Sequence, residues 1–376
     1  MKIVFIAPRY HTNQHGWVSA LQSAGHSVRF ISFWKLEQWE YYGALEPIVA
    51  ETKKLPQPIC WLIDTWLKIQ SKVPRAQYHY WPHYRQFRAQ VLAERPDIII
   101  VRDAVSPLSL VAFWIARKEG IPAILYNQHP LEDPENFKTR FLQWLGLVPR
   151  CRITPTRTSA MEYNPATHAH YLPLLVQFPF DIKNKQYQRD DRLNILSIGK
   201  LSLSRKRLRF LVHACALLKS KIPFHLTIAG ALSESDTNEY QSLIFDIKDL
   251  GLTDHITIKP NVPYEEMADL YQQHDLFVLP SINEPYSISP LEAMAFGLPI
   301  VLTESNGARG IIRPGQNGHI IPNDDISALT EAITQYSYIS YLKTASQHAY
   351  KYQQENYNQV VFLQQFDAVL TSLKVK

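Results

Sequence analysis

Apolar residues along this chain fall into short unbroken runs separated by longer amphipathic stretches. In the first half the runs are Ile3–Ala7, Val28–Phe33, Ile98–Val101, Ala123–Asn127, Arg152–Thr154 and His170–Leu172. In the second half they are Asn194–Ile198, His225–Ala229, Ile256–Lys259, Leu276–Leu279, Ile300–Thr303 and His319–Ile321. Between most of them the spacing turns helical, as in Leu208–Leu218 and Glu265–Gln273. Apolar runs without alternation, separated by helices, describe strands buried on both faces of a parallel sheet. Twelve such strands exceed one simple doubly wound sheet, so the expected fold class is α/β with two domains, each with its own sheet and helices. The charged, turn-rich stretch Phe178–Arg192 (FPFDIKNKQYQRDDR) reads as the boundary, because a fresh strand starts directly after it. The expected limits are 1–180, 193–345 and a helical segment 346–376, in which Tyr350–Leu373 reads as one helix.

A length of 376 residues suits two cores. No run of about 18 uninterrupted apolar residues exists, so no transmembrane helix is expected. The opening MKIVFIAPRY reads as a buried strand rather than a signal peptide, its apolar run ending at Pro8 and Arg9. Cys60, Cys151 and Cys215 are far apart and form no pair motif, which argues against a disulfide framework or zinc site and fits a reducing cytosol. The 14 His show no metal-ligand spacing. The net charge of +5 is unevenly placed. Lys53, Lys54, Lys68, Lys72, Arg75, Arg85, Arg88 and Arg95 are interleaved with Trp61, Trp66, Tyr78, Tyr80, Trp81, Tyr84 and Phe87. Such a stretch suits nucleic acid, an anionic membrane face or an acidic acceptor. It equally suits a helical pair with a solvated basic face and an aromatic inner side.

The densest chemistry lies in Leu276–Ile300, LFVLPSINEPYSISPLEAMAFGLPI. A buried strand runs into the loop Pro280–Ser289, and a helix is expected from Pro290 with Ser289 as its cap. In open α/β sheets ligands bind at this carboxyl edge, and free N–H groups at a helix start favour phosphate. Glu284 sits in the loop and Glu292 in the first helical turn. Ser289-Pro-Leu-Glu292 is also a capping box, in which Glu292 would reach back to the Ser289 N–H. A carboxylate accepts two hydroxyl hydrogen bonds at once, which suits a ribose diol or a sugar.

Glu284-PYSISPL-Glu292 followed by AMAFGLP resembles the signature of the retaining glycosyltransferases of family 4, which have the GT-B fold. The resemblance implies two Rossmann-like domains facing a cleft, with the C-terminal helix returning to the first. It implies that Glu284 contacts the transferred sugar and Glu292 the donor ribose. Where the family often has Gly-Phe-Gly after the first Glu, this chain has Pro285-Tyr286-Ser287, so backbone contacts must come from Tyr286, Ser287 or Ile288. ILSIGKLSLSRKRLRFLVHACALL resembles the family's strand, Gly-Arg-Leu and following cation, which neutralise the donor diphosphate. Here Lys200 replaces the Arg, and the second cation is Lys206 or, shifted by one, Arg205. Backbone around Val262 would face the nucleobase, and Gly310 replaces a frequent Glu.

In the first domain, PRYHTNQHG holds Gly16 where the family has a glycine pair near the diphosphate and acceptor. His129, just past a strand end, matches a family His near the reacting sugar. Arg102 and Asp103, at another strand end, are expected at the acceptor. The implied catalytic set is Glu284, His129 and Lys206. The implied partners are a nucleotide-diphosphate sugar donor, a glycan or lipid-linked acceptor and an anionic membrane surface; nucleic acid is not among them. No cofactor or metal is implied. The expected location is the cytoplasm, peripheral on the inner face of the membrane. The alternative is a non-catalytic glycan- or membrane-binding protein with a degenerate donor site. A nicotinamide oxidoreductase is disfavoured because no Gly-x-Gly-x-x-Gly follows an early strand.

Overall fold

The computed structural model describes residues 1–10, 12–33, 45–69, 76–104, 106–176, 178–201, 203–232 and 236–373, without the side chains of Thr12, 66–69, 76–77 and Ser204. They form two compact units, Met1–Leu175 with Gln359–Lys376, and Val176–Asn358. Lys72 and Arg75 of the basic stretch lie outside the described residues, as does the side chain of Lys68.

The first unit runs β1 (Lys2–Ala7), α1 (Thr12–Ser23), β2 (Ser27–Ser32), β3 (Ile48–Val49), β4 (Thr52–Lys54), α2 (Gln57–Ile69), β5 (Tyr80–Pro82), α3 (Tyr84–Ala93), β6 (Ile98–Arg102), α4 (Pro107–Glu119), β7 (Ala123–Tyr126), α5 (Phe137–Trp144), β8 (Arg152–Thr154), β9 (Tyr163–Asn164) and β10 (Ala169–Tyr171). Its sheet has the order β3-β2-β1-β6-β7-β8-β10-β9, parallel except for the β9–β10 pair, and β4 and β5 form a separate antiparallel ribbon. Ile98, Ile99, Ile100 and Val101 are all buried, so both faces of β6 are covered, as an unbroken apolar strand requires.

The second unit continues with β11 (Leu193–Ile198), α6 (Leu203–Lys206), α7 (Leu208–Leu218), β12 (Phe224–Gly230), α8 (Thr237–Asp249), β13 (Ile256–Pro260), α9 (Met267–Gln272), β14 (Leu276–Leu279), α10 (Ser289–Ala295), β15 (Ile300–Thr303), β16 (Gly318–Ile321), α11 (Ile326–Gln335) and α12 (Ile339–Asn356). Its parallel sheet has the order β13-β12-β11-β14-β15-β16. Leu193, Ile195, Leu211, Leu226, Val278, Val301 and Ile333 share one core. The chain ends with α13 (Gln359–Ser372), which belongs to the first unit, where Phe362 stacks on Trp17 at 6.0 Å.

The α/β class and all twelve expected strands are present. The strands β3, β4, β5 and β9 went unforeseen: β3 and β9 have two residues each, and β4 (TKK) and β5 (YWP) form a separate ribbon outside the buried sheet. Two further differences have physical causes. The stretch 178–192 is not a free linker: Lys185 is buried and its Nζ donates to the His274 carbonyl at 2.8 Å. The Gln188 N–H donates to Asp275 Oδ1 at 3.0 Å, and Asp275 also accepts from the Asn194 N–H at 2.8 Å. The second unit therefore starts at Val176 rather than Leu193. At the other end, the helix expected over Tyr350–Leu373 is broken between α12 and α13, so the change of unit falls after Asn358 rather than at 346.

His274 links this cluster to the sheet. Its Nδ1 faces the Leu270 carbonyl at 2.6 Å and its Nε2 faces Thr227 Oγ1 at 2.8 Å, an arrangement that a neutral ring satisfies as donor and acceptor. Burial lowers its pKa to about 4. Below the ordinary value of 6.5 the unfolded chain takes up this proton first, so the contribution is full above pH 6.5 and is lost as pH falls towards 4. Urea unfolding between pH 7 and pH 4 should show a loss of about 3 kcal/mol from this group. His274→Gln should remove most of that slope; an unchanged slope would show that other groups set the acid limb.

Candidate functional site

In the second unit the sheet order reverses between β11 and β14, and in open α/β sheets the crevice at the carboxyl ends of two such strands is where ligands bind. Two segments enter it: Gly199–Lys206 after β11 and Pro280–Ser289 after β14. The Ile282 N–H donates to the Arg205 carbonyl at 2.9 Å, which ties them together. Lys206 Nζ donates to Glu284 Oε2 at 2.8 Å, and each side chain is only 8% exposed. Arg205 Nε approaches the same oxygen at 3.4 Å from a half-exposed position. Burial pulls the Lys206 pKa below its ordinary value, while Glu284 pushes the other way. Removing one member of such a pair strands a buried charge, a loss of about 3–5 kcal/mol. Lys200, by contrast, is turned away to Asp236 Oδ2 at 2.9 Å and is half exposed.

Glycines make the crevice possible. A Cβ at Gly199 would lie 2.8 Å from Lys206 Cε, and a Cβ at Gly230 would lie 1.7 Å from the Gly199 carbonyl oxygen. On the other side the Gly307 N–H donates to the Glu284 carbonyl at 2.8 Å, and a Cβ on Gly307 would meet the Pro285 oxygen at 1.8 Å. Asn306 bridges to Glu284 through the backbone and donates from Nδ2 to Ser281 Oγ at 2.9 Å. Glu284 is thus fixed from both sides, by cations on its carboxylate and by a close backbone on its carbonyl.

Glu292 corrects the expectation at α10. There is no capping box: Ile288 precedes the helix in an α-helical conformation (φ −81°, ψ −29°) without a side-chain cap. Ser289 Oγ donates to the Ile198 carbonyl at 3.1 Å and shares a 3.0 Å hydrogen bond with Ser287 Oγ. Glu292 accepts instead from the Tyr271 hydroxyl at 2.6 Å. A cap needs an extended residue at the helix start, and the backbone here is already helical at Ile288. Glu292 is buried, and burial raises its pKa against the opposing Tyr271 hydrogen bond. Tyr264 lies near enough that burial first, and then the Glu292 charge, push its phenol up to about 12. Tyr264 follows Val262, which is half-buried beyond the end of β13. Tyr286 and Ser287 are buried between Glu284 and α10 in sequence.

The residues proposed in the first unit sit on separate elements. Gly16 is not in a loop: it lies inside α1, where a Cβ would meet the Leu175 carbonyl oxygen at 2.3 Å. It packs the helix closely against that backbone. Arg102 ends β6 with its guanidinium 5.6 Å from the Tyr126 ring centre, and Asp103 follows in a left-handed conformation (φ 75°). His129 is exposed, on a loop that hangs from a buried arginine. Arg152 is fully buried, pairs with Glu135 at 3.2 Å, and donates to the carbonyls of His129, Pro130, Leu131 and Asp133. Thr154 Oγ1 donates to the His129 carbonyl at 2.6 Å.

Sequence reasoning missed Tyr264, Tyr271, Asp236 and the Asn306-Gly307 pair. The signal for part of this was present: a glycine follows each of β11 and β15 closely and ends β12, at Gly199, Gly307 and Gly230.

Residues 180–355 match the family described as Glycosyl transferases group 1. A D-inositol 3-phosphate glycosyltransferase of Corynebacterium urealyticum is 29% identical over 140 residues, 36% of this chain and 33% of that protein. A mannosylfructose-phosphate synthase of Agrobacterium fabrum is 32% identical over 201 residues, 48% of this chain and 44% of that protein. The chain thus matches less than half of the length of these relatives. Among solved structures, a sucrose-phosphate synthase from Thermosynechococcus elongatus aligns with a TM-score of 0.69 at 16% identity over 100% of both chains. An Anabaena protein solved in complex with UDP-glucose aligns with a TM-score of 0.68 at 16% identity, over 99% of this chain and 100% of that one. At such identities the likeness is one of fold. The chain therefore has the GT-B fold, and its residues 180–355 match the glycosyl transferases group 1.

Proposed function

We propose that this chain is a retaining glycosyltransferase that moves a sugar from a nucleotide-diphosphate donor to a glycan or lipid-linked acceptor in the cytoplasm. The buried Lys206–Glu284 pair at the switch point of the second sheet carries this reading. An ammonium held by a carboxylate in a crevice can exchange that partner for a diphosphate, which has more charge and more acceptor oxygens. Glu284, released, is then free to accept hydrogen bonds from the sugar hydroxyls. Lys206, helped by Arg205, stabilises charge on the leaving diphosphate as it develops. Lys200 would join only after parting from Asp236. Glu292, held by Tyr271, takes the ribose diol, and the Val262–Tyr264 turn lies beside the base. The solved relative with UDP-glucose supports a donor of this class.

In the reaction the bond from the anomeric carbon to the diphosphate oxygen breaks and a bond to the acceptor oxygen forms on the same face. The acceptor proton passes to the departing phosphate oxygen. Glu284 orients the sugar and is not the nucleophile. His129, Arg102 and Asp103 are assigned to the acceptor side.

Pure protein titrated with a panel of UDP-, GDP-, ADP- and dTDP-sugars should bind one of them and hydrolyse it slowly without acceptor. Binding without turnover, even with candidate acceptors, would favour the non-catalytic alternative, and no binding at all would sink the proposal. Glu284→Gln and Lys206→Met should each lower transfer by about a hundred- to a thousandfold, with folding followed by circular dichroism. Activity surviving in the double variant would remove both residues from the site.

Gly199→Ala probes the cation's position separately. The added methyl meets only the flexible end of Lys206, so the melting temperature should change by no more than a few degrees while the donor KM rises. An unchanged KM would mean that the Lys206 position is unimportant. The raised Glu292 pKa adds a pH signature. Its charged form is the better acceptor for ribose hydroxyls, so donor affinity should weaken as pH falls through that raised value, higher than for an exposed glutamate. Glu292→Gln should flatten this dependence in calorimetric titrations.

A further inference from the structure

The outer face of α5 is more apolar than a surface helix should be. Phe137, Phe141 and Trp144 follow at helical spacing on one stripe and are 81%, 48% and 74% exposed. Their rings form a continuous ridge, with centroids 6.4 Å apart for Phe137–Phe141 and 5.9 Å apart for Phe141–Trp144. Leu145 extends it. The inward side of the same helix is modest: Thr139 is buried and Leu142 leans on the core of the first unit. Burial alone would have put the aromatic rings inside and the polar residues out.

The ridge is also braced. Asn136 caps α5 by accepting from the Thr139 N–H at 3.0 Å. Arg117 on α4 donates to the carbonyls of Leu145 and Gly146 just past its end, at 3.3 and 2.6 Å. Gln143 Nε2 donates to the Pro149 carbonyl at 3.0 Å. The aromatic side chains are therefore presented on a fixed support.

The charge around the ridge has one sign. From 136 to 150 the sequence NFKTRFLQWLGLVPR contains Lys138, Arg140 and Arg150 and no acidic residue. Of the acids in the preceding loop, Glu135 is turned to Arg152 and Glu132 to Thr158 and Ser159, while Asp133 is exposed four residues before Phe137. Phe and Trp at the level of lipid headgroups, ringed by Lys and Arg, are the chemistry by which a helix lies in the surface of an anionic bilayer.

We propose that α5 is an interfacial membrane anchor, its Phe137–Phe141–Trp144 ridge inserting among the headgroups of an anionic lipid surface while Lys138, Arg140 and Arg150 contact the phosphates. This partner reading rests on the protein fold and not on the donor chemistry, so it stands or falls separately from the proposed transfer reaction. It also moves the membrane contact away from the Trp61–Arg95 stretch. There Arg88 pairs with Glu119, and Asp64 lies on the same helix as the exposed Trp61 and Leu62.

The test is sedimentation of the full chain with phosphatidylglycerol–phosphatidylcholine vesicles at low salt, against pure phosphatidylcholine vesicles. The native protein should sediment with the anionic vesicles and be released by salt. Phe137→Ser/Trp144→Ser and Lys138→Glu/Arg140→Glu should each weaken partitioning on the order of tenfold, and Trp61→Ser should not. The substituted side chains are exposed, so melting temperatures should stay near that of the native chain. Equal sedimentation of the ridge variant, loss on Trp61→Ser alone, or a concentration-dependent dimer abolished by the ridge variant would each overturn the assignment.

Discussion

Opposite charges buried in an apolar surround must stay together, and the pair Lys206–Glu284 imposes that condition on the whole carboxyl edge of the second sheet. The lysine comes from the end of α6 and the glutamate from the loop after β14, so α6 and this loop must approach within one hydrogen bond. The Ile282–Arg205 backbone bond holds that approach. The lysine end packs against Gly199, and the Gly199 backbone in turn requires Gly230 to lack a side chain. The glutamate carbonyl requires Gly307 to come close. Three strand ends thus carry glycine for one reason: a charged pair is being inserted where backbones already crowd.

Glu292 shows a different balance. A carboxylate this deep has the Tyr271 hydroxyl as its short partner and its pKa is raised by burial, whereas Glu284 has two cations beside it. A helix cap would have left it at the surface with backbone N–H partners. The structure uses the backbone around Ile288 to start the helix early, sends the Ser289 hydroxyl to the end of β11, and turns the glutamate inward. The outcome is a pair of carboxylates on one edge with unlike environments, one ion-paired and one desolvated.

Much of the fold was legible because parallel strands buried on both faces leave unbroken apolar runs, and all twelve such runs became strands. The two-residue strands β3 and β9 leave no pattern, and the ribbon strands β4 and β5 are not buried on both faces. The stretch 178–192 looked like a linker because it is charged, yet Lys185 and Gln188 are the residues that bind it to the second unit. At the candidate site, Glu284, Lys206 and Arg205 could be named from the sequence because the segments holding them resemble a family's Glu motif and its cation-bearing segment. Tyr271 could not, since its hydroxyl matters only through Glu292, twenty-one residues later and across the sheet edge. Gly16 was expected in a loop, but it lies inside α1, where the absence of a side chain lets the helix touch the Leu175 backbone.

The loop bearing His129 follows another logic. Arg152 binds it through main-chain carbonyls, at His129, Pro130, Leu131 and Asp133, and Thr154 adds a further bond to the His129 carbonyl. Such a support fixes the path of the backbone without depending on which side chains the loop carries. The His129 ring itself is exposed and has no structural duty within that network. A position whose backbone is tightly held and whose side chain is left over is one at which the residue type answers to what it meets outside the fold.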